Sequence, residues 1–247
     1  MSSNPIIEVF MSITLDDNNV LNENHFKLAN EKLKTIESKI SKVQATTLKV
    51  ESNPPSHTSY TKIVGTVIND NNKITGIRSN DIFFSSLEPY ISWNNYFPES
   101  IEKLFNIIQL LEINQVTSVF LQYKNLIKIP RQDGLYIEDY FKFYPVTDSI
   151  EDSMFTESDA KVKLYNKDLK IHSEITQIFK QDDPNDFSFY IDINNGTPLN
   201  ETDTAINHSE IEISYKKLHD YANYLFKAII TDKTRNNYLL NYGSDSN

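Results

Sequence analysis

Apolar and polar side chains alternate between residues 119 and 130, with Val119, Leu121, Tyr123, Ile127 and Ile129 on every second position. Alternate positions of a strand share a face, so the stretch predicts a half-buried strand, which Pro130 ends. Asn125 falls in the middle of the apolar side. A carboxamide there has two readings. Either the strand bends or bulges near Lys124 and Asn125 and the amide caps local backbone, or the amide makes a buried polar contact to a partner element or ligand. "FSFYIDIN" repeats the alternation, with Phe187, Phe189, Ile191 and Ile193 opposed to Ser188, Tyr190, Asp192 and Asn194. Further strands are expected in "IIEVFMSITL", "ATTLKVES", "FFSSLEPYISW", "AKVKLYN" and "LKIHSEITQIF", the last two joined by a turn at residues 166–168. Two β-rich runs flank "NDNN", whose residues tolerate left-handed backbone, and predict a hairpin. "NPPSH" and "DDPND" read as breaks, and "NGTPLNETDT" as a loop.

Spacings of three and four residues mark the helices. Phe26, Ala29, Leu33, Ile36 and Ile40 form one stripe, with Asn22 or Asn24 able to cap it. Ile101, Leu104, Phe105, Ile108 and Leu111 form a second, with Pro98 suited to the first turn. "LYIEDYFKFYP" reads as a short helix. Leu218, Ala222, Leu225 and Ile229, with Tyr215 and Tyr221 beside them, predict a last helix from about Ser214 to Leu240. Strand runs followed by helices, without strict alternation, mean α+β. The expected architecture is a curved, mainly antiparallel sheet packed against long amphipathic helices. It is one domain of 247 residues, with a division into two similar lobes, residues 1–147 and 148–247, left open.

Composition narrows the chemistry. Only 5 glycines occur, all scattered, so phosphate cradles that need closely spaced glycines are disfavoured. With 34 acidic against 24 basic residues the net charge is -10, which disfavours direct nucleic-acid binding. Lys39, Lys42 and Lys49 hint at a basic cluster that Glu37 and Glu51 dilute. The chain has no cysteine, which removes disulfides, thiolate metal sites and a Cys nucleophile. No apolar run approaches the roughly 20 residues of a membrane span. The N-terminus lacks the basic start and cleavage site of a signal peptide, so the expected location is cytoplasmic. The glycosylation sequons at Asn195, Asn200 and Asn207 then read as chance. The 5 histidines, His25, His57, His172, His208 and His219, lack metal-ligand spacing, and no nucleophile elbow occurs. No catalytic residue, metal or cofactor is assigned. His219, next to the apolar stripe of the last helix, reads as a packed or surface residue. Glu8, inside the first apolar strand, faces solvent or else needs a partner such as Arg78 or Arg131. The aromatics of "SWNNYF" and "DYFKFYP" read as core, with a ligand pocket as the alternative.

Four segments carry a resemblance. Pro5-Ile6-Ile7-Glu8, then Gln122-Tyr123-Lys124-Asn125 followed by Ile127-Lys128-Ile129-Pro130, then "YIDIN" and Leu218-His219 with Phe226, stand in this order. The chain resembles a sporadically distributed, uncharacterised bacterial family of similar length. That family opens with Pro-Ile/Val-x-Glu and carries a central Arg-Tyr-x-Asn motif, where this chain has Gln122 in place of the arginine. The resemblance implies no activity. It implies a setting, because such a distribution is similar to that of phage-defence and toxin–antitoxin genes. It also makes Gln122, Tyr123 and Asn125 the candidate binding residues. The expected function is a non-enzymatic, protein-binding or regulatory component, its partner another protein, with a homo-oligomer left open. The alternatives are a small-molecule sensor or enzyme with its site between sheet and helices, and an acidic phage protein that inhibits a nucleic-acid-binding system.

Overall fold

A computed structural model describes residues 5–52, 55–87, 89–130, 137–142, 157–183, 185–199 and 206–238. The strands are β1 (Ile6–Leu15), β2 (Lys39–Ser52), β3 (Pro55–Asp70), β4 (Lys73–Arg78), β5 (Asp81–Ser86), β6 (Val116–Pro130), β7 (Glu157–Asn166), β8 (Ile171–Asp183) and β9 (Asp186–Pro198). The helices are α1 (Glu23–Leu33), α2 (Trp93–Leu110), α3 (His208–Ile229) and α4 (Asp232–Tyr238). All nine strands form one curved, open antiparallel sheet in the order β2-β3-β4-β5-β1-β6-β9-β8-β7. The fold is α+β, as the order of periodicities predicts.

Twice the chain lays down a central strand, crosses to an edge and fills the sheet back towards the centre. Strands β1 to β5 form one contiguous flank that ends in α2, and β6 to β9 form the other, which ends in α3. The flanks meet where β1 pairs with β6, Met11 opposite Leu121 and Ile13 opposite Val119. The helices cover one face of the sheet. That face supplies Val9, Met11 and Ile13 of β1, Ile82 and Phe84 of β5, and Val119, Leu121 and Tyr123 of β6, all buried. Two tyrosines, Tyr96 half-buried and Tyr215 buried, fasten the helices to the central strand. Tyr96 of α2 donates to the Val9 carbonyl at 3.1 Å, and Tyr215 of α3 donates to the Ser12 carbonyl at 2.8 Å. Burial raises the pKa of both phenols, so they remain donors.

Several elements differ from the pattern's expectation. The first helix stops at Leu33, and Ile36 is fully exposed. Lys34 takes extended backbone, and Ile40 joins β2, which is far longer than "ATTLKVES" suggested. Ladder bonds to β3 outweigh a weak helical stripe there. Ser92 caps α2, so the helix starts a turn early and Pro98 lies inside it. β9 continues to Pro198 through residues expected as loop, because Gly196 and Thr197 pair with Phe120 and Val119. The last helix breaks at Ile230, which bridges to Phe141, and α4 restarts at Asp232. Of "LYIEDYFKFYP", the described part is residues 137–142, a 3-10 turn at Ile137–Asp139 followed by the Phe141 bridge to Ile230, and the rest lies outside the described residues. So do most of the acidic connector and Arg131. The "NDNN" hairpin is present, with Asn71 at φ 57°.

The face without helices shows a distinct packing device. One row across five strands reads Gly76, Phe83, Ser12, Phe120, Gly196. Each phenylalanine ring lies over its neighbouring glycine: an added Cβ on Gly76 would stand 1.9 Å from Phe83, and one on Gly196 2.3 Å from Phe120. Phe83 is 9% exposed and pinned by Phe10 at 5.0 Å, whereas Phe120 is 41% exposed. Gly76→Ala should therefore cost about 1–3 kcal/mol in urea unfolding. Gly196→Ala should cost less, because Phe120 can swing into solvent. Equal losses would contradict this packing.

Candidate functional site

The central motif lies where both flanks and both long helices meet. Tyr123, on the helix-covered face of β6, is 3% exposed, and its Oη lies 2.7 Å from His219 Nδ1 on α3. The His219 ring stacks on Trp93 at 4.3 Å and 5°, and Trp93 stacks in turn on Phe97 at 4.6 Å and 18°. One turn along α3, Asn223 Nδ2 sits 3.0 Å from His219 Nε2, since residues four apart share a helix face. Tyr90 meets Tyr123 edge-on at 6.0 Å. Strand, both helices and the segment before α2 thus converge on one imidazole.

Burial pushes His219 down to about 4, so the ring is neutral near pH 7. A neutral imidazole has one donor and one acceptor nitrogen, and both are taken by Tyr123 and Asn223. The arrangement orients and clamps, and it leaves His219 no nitrogen with which to serve as a general base. His219 is a packed residue, as expected, with a specific partner on each side.

Asn125 lies two positions further along the same face and is 1% exposed. Its Nδ2 donates to the Ile191 carbonyl on β9 at 2.9 Å. That bond fixes the amide orientation, because the rotated amide would set two acceptors against each other. Its Oδ1 is buried and receives no hydrogen bond among the described residues. Such an acceptor costs about 1–3 kcal/mol. β6 runs regularly through Asn125, opposite Ile191 of β9. The irregularity lies in its neighbour: Ile6 pairs with Asn125 and Glu8 with Lys124, leaving Ile7 of β1 as the extra residue. The amide therefore caps backbone with its nitrogen only.

Gln122, the third candidate, points to the opposite, helix-free face between Phe10 and Asn194. The motif is thus split by the sheet. On Gln122's side, Glu8 accepts from Lys124 Nζ at 2.6 Å and from Ser85 Oγ at 2.8 Å. The partner of Glu8 is Lys124, its cross-strand neighbour, rather than Arg78, which pairs with Asp81 at 2.6 Å. Asp192 stands opposite Lys124 on the other side, its pKa raised mainly by burial and further by Glu8, with Lys124 opposing. Lys161 and Lys163 flank Glu174 at 2.9 and 3.5 Å. Charges on this face are thus paired across strands.

Sequence reasoning missed Trp93, Asn223, Lys124 and Asn195. Asn195 is fully buried, accepts from Ser173 Oγ at 2.6 Å and donates to the Leu218 carbonyl at 3.2 Å, which excludes it as a glycosylation acceptor in the folded chain. The i, i+4 spacing of His219 and Asn223 was the readable signal; the cross-strand partners had none. Among the described residues no three metal-ligating side chains stand together, and no helix is long and apolar enough to cross a membrane. Neither protein-family models nor curated proteins match the chain.

Trp93 is the sole tryptophan, so its emission reports on the ring stacked against it. Protonating His219 should quench it with a midpoint near 4, well below a free imidazole. A group held below its unfolded pKa binds fewer protons in the folded state. Its contribution therefore holds above the ordinary histidine range and is lost as pH falls towards 4, on the order of 3 kcal/mol. His219→Phe should remove the fluorescence transition and flatten the stability profile in that window. A wild-type midpoint near the ordinary histidine value would overturn this assignment.

Proposed function

We propose that the protein is a non-enzymatic, cytoplasmic, protein-binding or regulatory component that presents the helix-free face of its sheet to another protein. The observation that carries this reading is Phe120, a large apolar ring 41% exposed at mid-sheet. Its ring lies over Gly196, and the same face continues along β6 with Gln122 and Lys124, whose cross-strand neighbours are Asn194 and Glu8. A half-exposed aromatic followed by hydrogen-bonded polar groups is the anatomy of an interface anchor and its rim. The opposed charges on this face support a protein partner over a phosphate polymer. The setting in a phage-defence or toxin–antitoxin-like locus rests on the family resemblance.

The test compares wild-type protein and Phe120→Asp as baits in an extract of the native host, both first shown to melt alike. A protein retained by the wild type should be lost with Phe120→Asp and should rebind when purified. Turnover of a substrate by the isolated chain, abolished by a point substitution, would overturn the reading.

A second reading, a small-molecule sensor with its site between sheet and helices, has one observation in its favour: the buried Asn125 Oδ1. A ligand there would bring an N–H or O–H donor to Oδ1 beside the rings of Tyr123, Tyr90 and Trp93. Native mass spectrometry of protein purified from its host should then show a mass adduct that Asn125→Leu removes. Without a ligand, Asn125→Leu should simply hold or raise the melting temperature, since it removes an unpaired buried acceptor.

A further inference from the structure

β7 is the last strand at one end of the sheet, and among the described residues no strand pairs with its outer edge. The backbone donors and acceptors of such an edge are a template for a further strand. Its side chains decide which strand fits. Glu157, Asp159, Lys161 and Lys163 follow one another along the helix-free face, all exposed, with two acids before Ala160 and two bases after it. Ser158, Ala160 and Val162, all half-buried, stand between them on the other face. Read backwards through Ala160, every acid of the row becomes a base.

An antiparallel second copy of β7 meets this row with its complement. With Ala160 opposite Ala160 of the second copy, Glu157 faces Lys163 and Asp159 faces Lys161, and two-fold symmetry repeats both pairs. Moving the axis by one residue, to Asp159 or to Lys161, sets like charges face to face, so one register satisfies all of them. The new pairs also extend rows already built into the sheet. Glu174 of β8 lies 2.9 Å from Lys161 and 3.5 Å from Lys163, and Lys180 stands opposite Glu157. Across the seam the charges then run Lys180, Glu157, Lys163, Glu174, alternating in sign. The other end of the sheet shows the contrast. From Lys39 to Thr46, β2 carries Lys39 and Lys42 and no acid, so a second β2 offers them nothing.

We propose that β7 is a dimerisation edge: two copies of the chain pair β7 to β7 about a two-fold axis through Ala160, and their sheets join into one. The same patch serves on both copies, so the contact closes on itself and adds no further chain. The axis stands normal to the sheet, which places the helix-free faces of both copies on the same side. The inference goes beyond the proposed protein-binding role and stands apart from it, because β9 and β8 separate β7 from Phe120 on β6.

Sedimentation of the full chain over a range of concentrations should show a monomer–dimer equilibrium. The variant E157K/D159K makes the row wholly basic, and K161E/K163E makes it wholly acidic. Each alone, checked for unchanged circular dichroism and melting, should dimerise more weakly by about tenfold or more, because every charged pair at the seam becomes like-charged. Mixed in equal amounts, the two variants should pair with each other again. A second measurement does not depend on the charge variants folding. The chain has no cysteine, so Ala160→Cys sets a lone thiol against its own copy on the axis. Opposed Cα atoms of an antiparallel pair lie about 4.5–5.5 Å apart, within the roughly 4.4–6.8 Å that a disulfide spans. Mild oxidation should link A160C into a covalent dimer and leave Val162→Cys unlinked, since that position faces Ser158 of the second copy. A monomeric wild type, which would leave the edge to a strand of another protein, would overturn the proposal. So would single variants that dimerise as tightly as wild type, or V162C that crosslinks as readily as A160C.

Discussion

The pairing of β1 with β6 is the constraint on which the molecule rests. Among the described residues it is the only ladder joining the two flanks of the sheet. Without it each flank would expose a long central edge, and β1 would lose its place as the common anchor of both helices. Tyr96 and Tyr215 reach the carbonyls of Val9 and Ser12 from opposite halves of the chain, so α2 and α3 can meet only after this pairing forms. The contacts are far apart in sequence, which predicts slow assembly from locally formed hairpins.

Above this seam the core accepts polar groups at a few points and makes most of them useful. Asn195 ties β9 to β8 and to the backbone of α3. Tyr123 ties β6 to His219, and the stacked rings of His219, Trp93 and Phe97 lock α3 against α2. Asn125 is the exception, paired to β9 through its nitrogen with its oxygen left buried. Low dielectric strengthens the satisfied bonds and penalises the orphan by the same physics. That contrast gives Asn125 its interest: the same carboxamide is half structural and half unexplained by the fold alone.

The two faces of the sheet carry different functions of the same alternation. One side is apolar and covered by helices. The other keeps its charges neutral by cross-strand pairing, as between Glu8 and Lys124, and leaves the rings of Phe120 and Tyr165 open to solvent. Net charge therefore says little about this surface.

Period-two alternation in residues 119–130 and 187–194 was enough to place β6, β9 and their buried faces, and hence the α+β class. It also marked Asn125 as buried, and spacings of three and four marked Leu218, Ala222, Leu225 and Ile229 as the inner stripe of α3. These follow from local geometry, which each segment carries by itself. The end of α1, the start of α2 and the length of β2 were not legible, because pairing partners and caps outweigh propensity at element ends. Strand order was not legible either. It set Lys124 beside Glu8 and Trp93 against His219. A sequence records which face a residue takes within its own strand; only the assembled sheet decides what stands across from it.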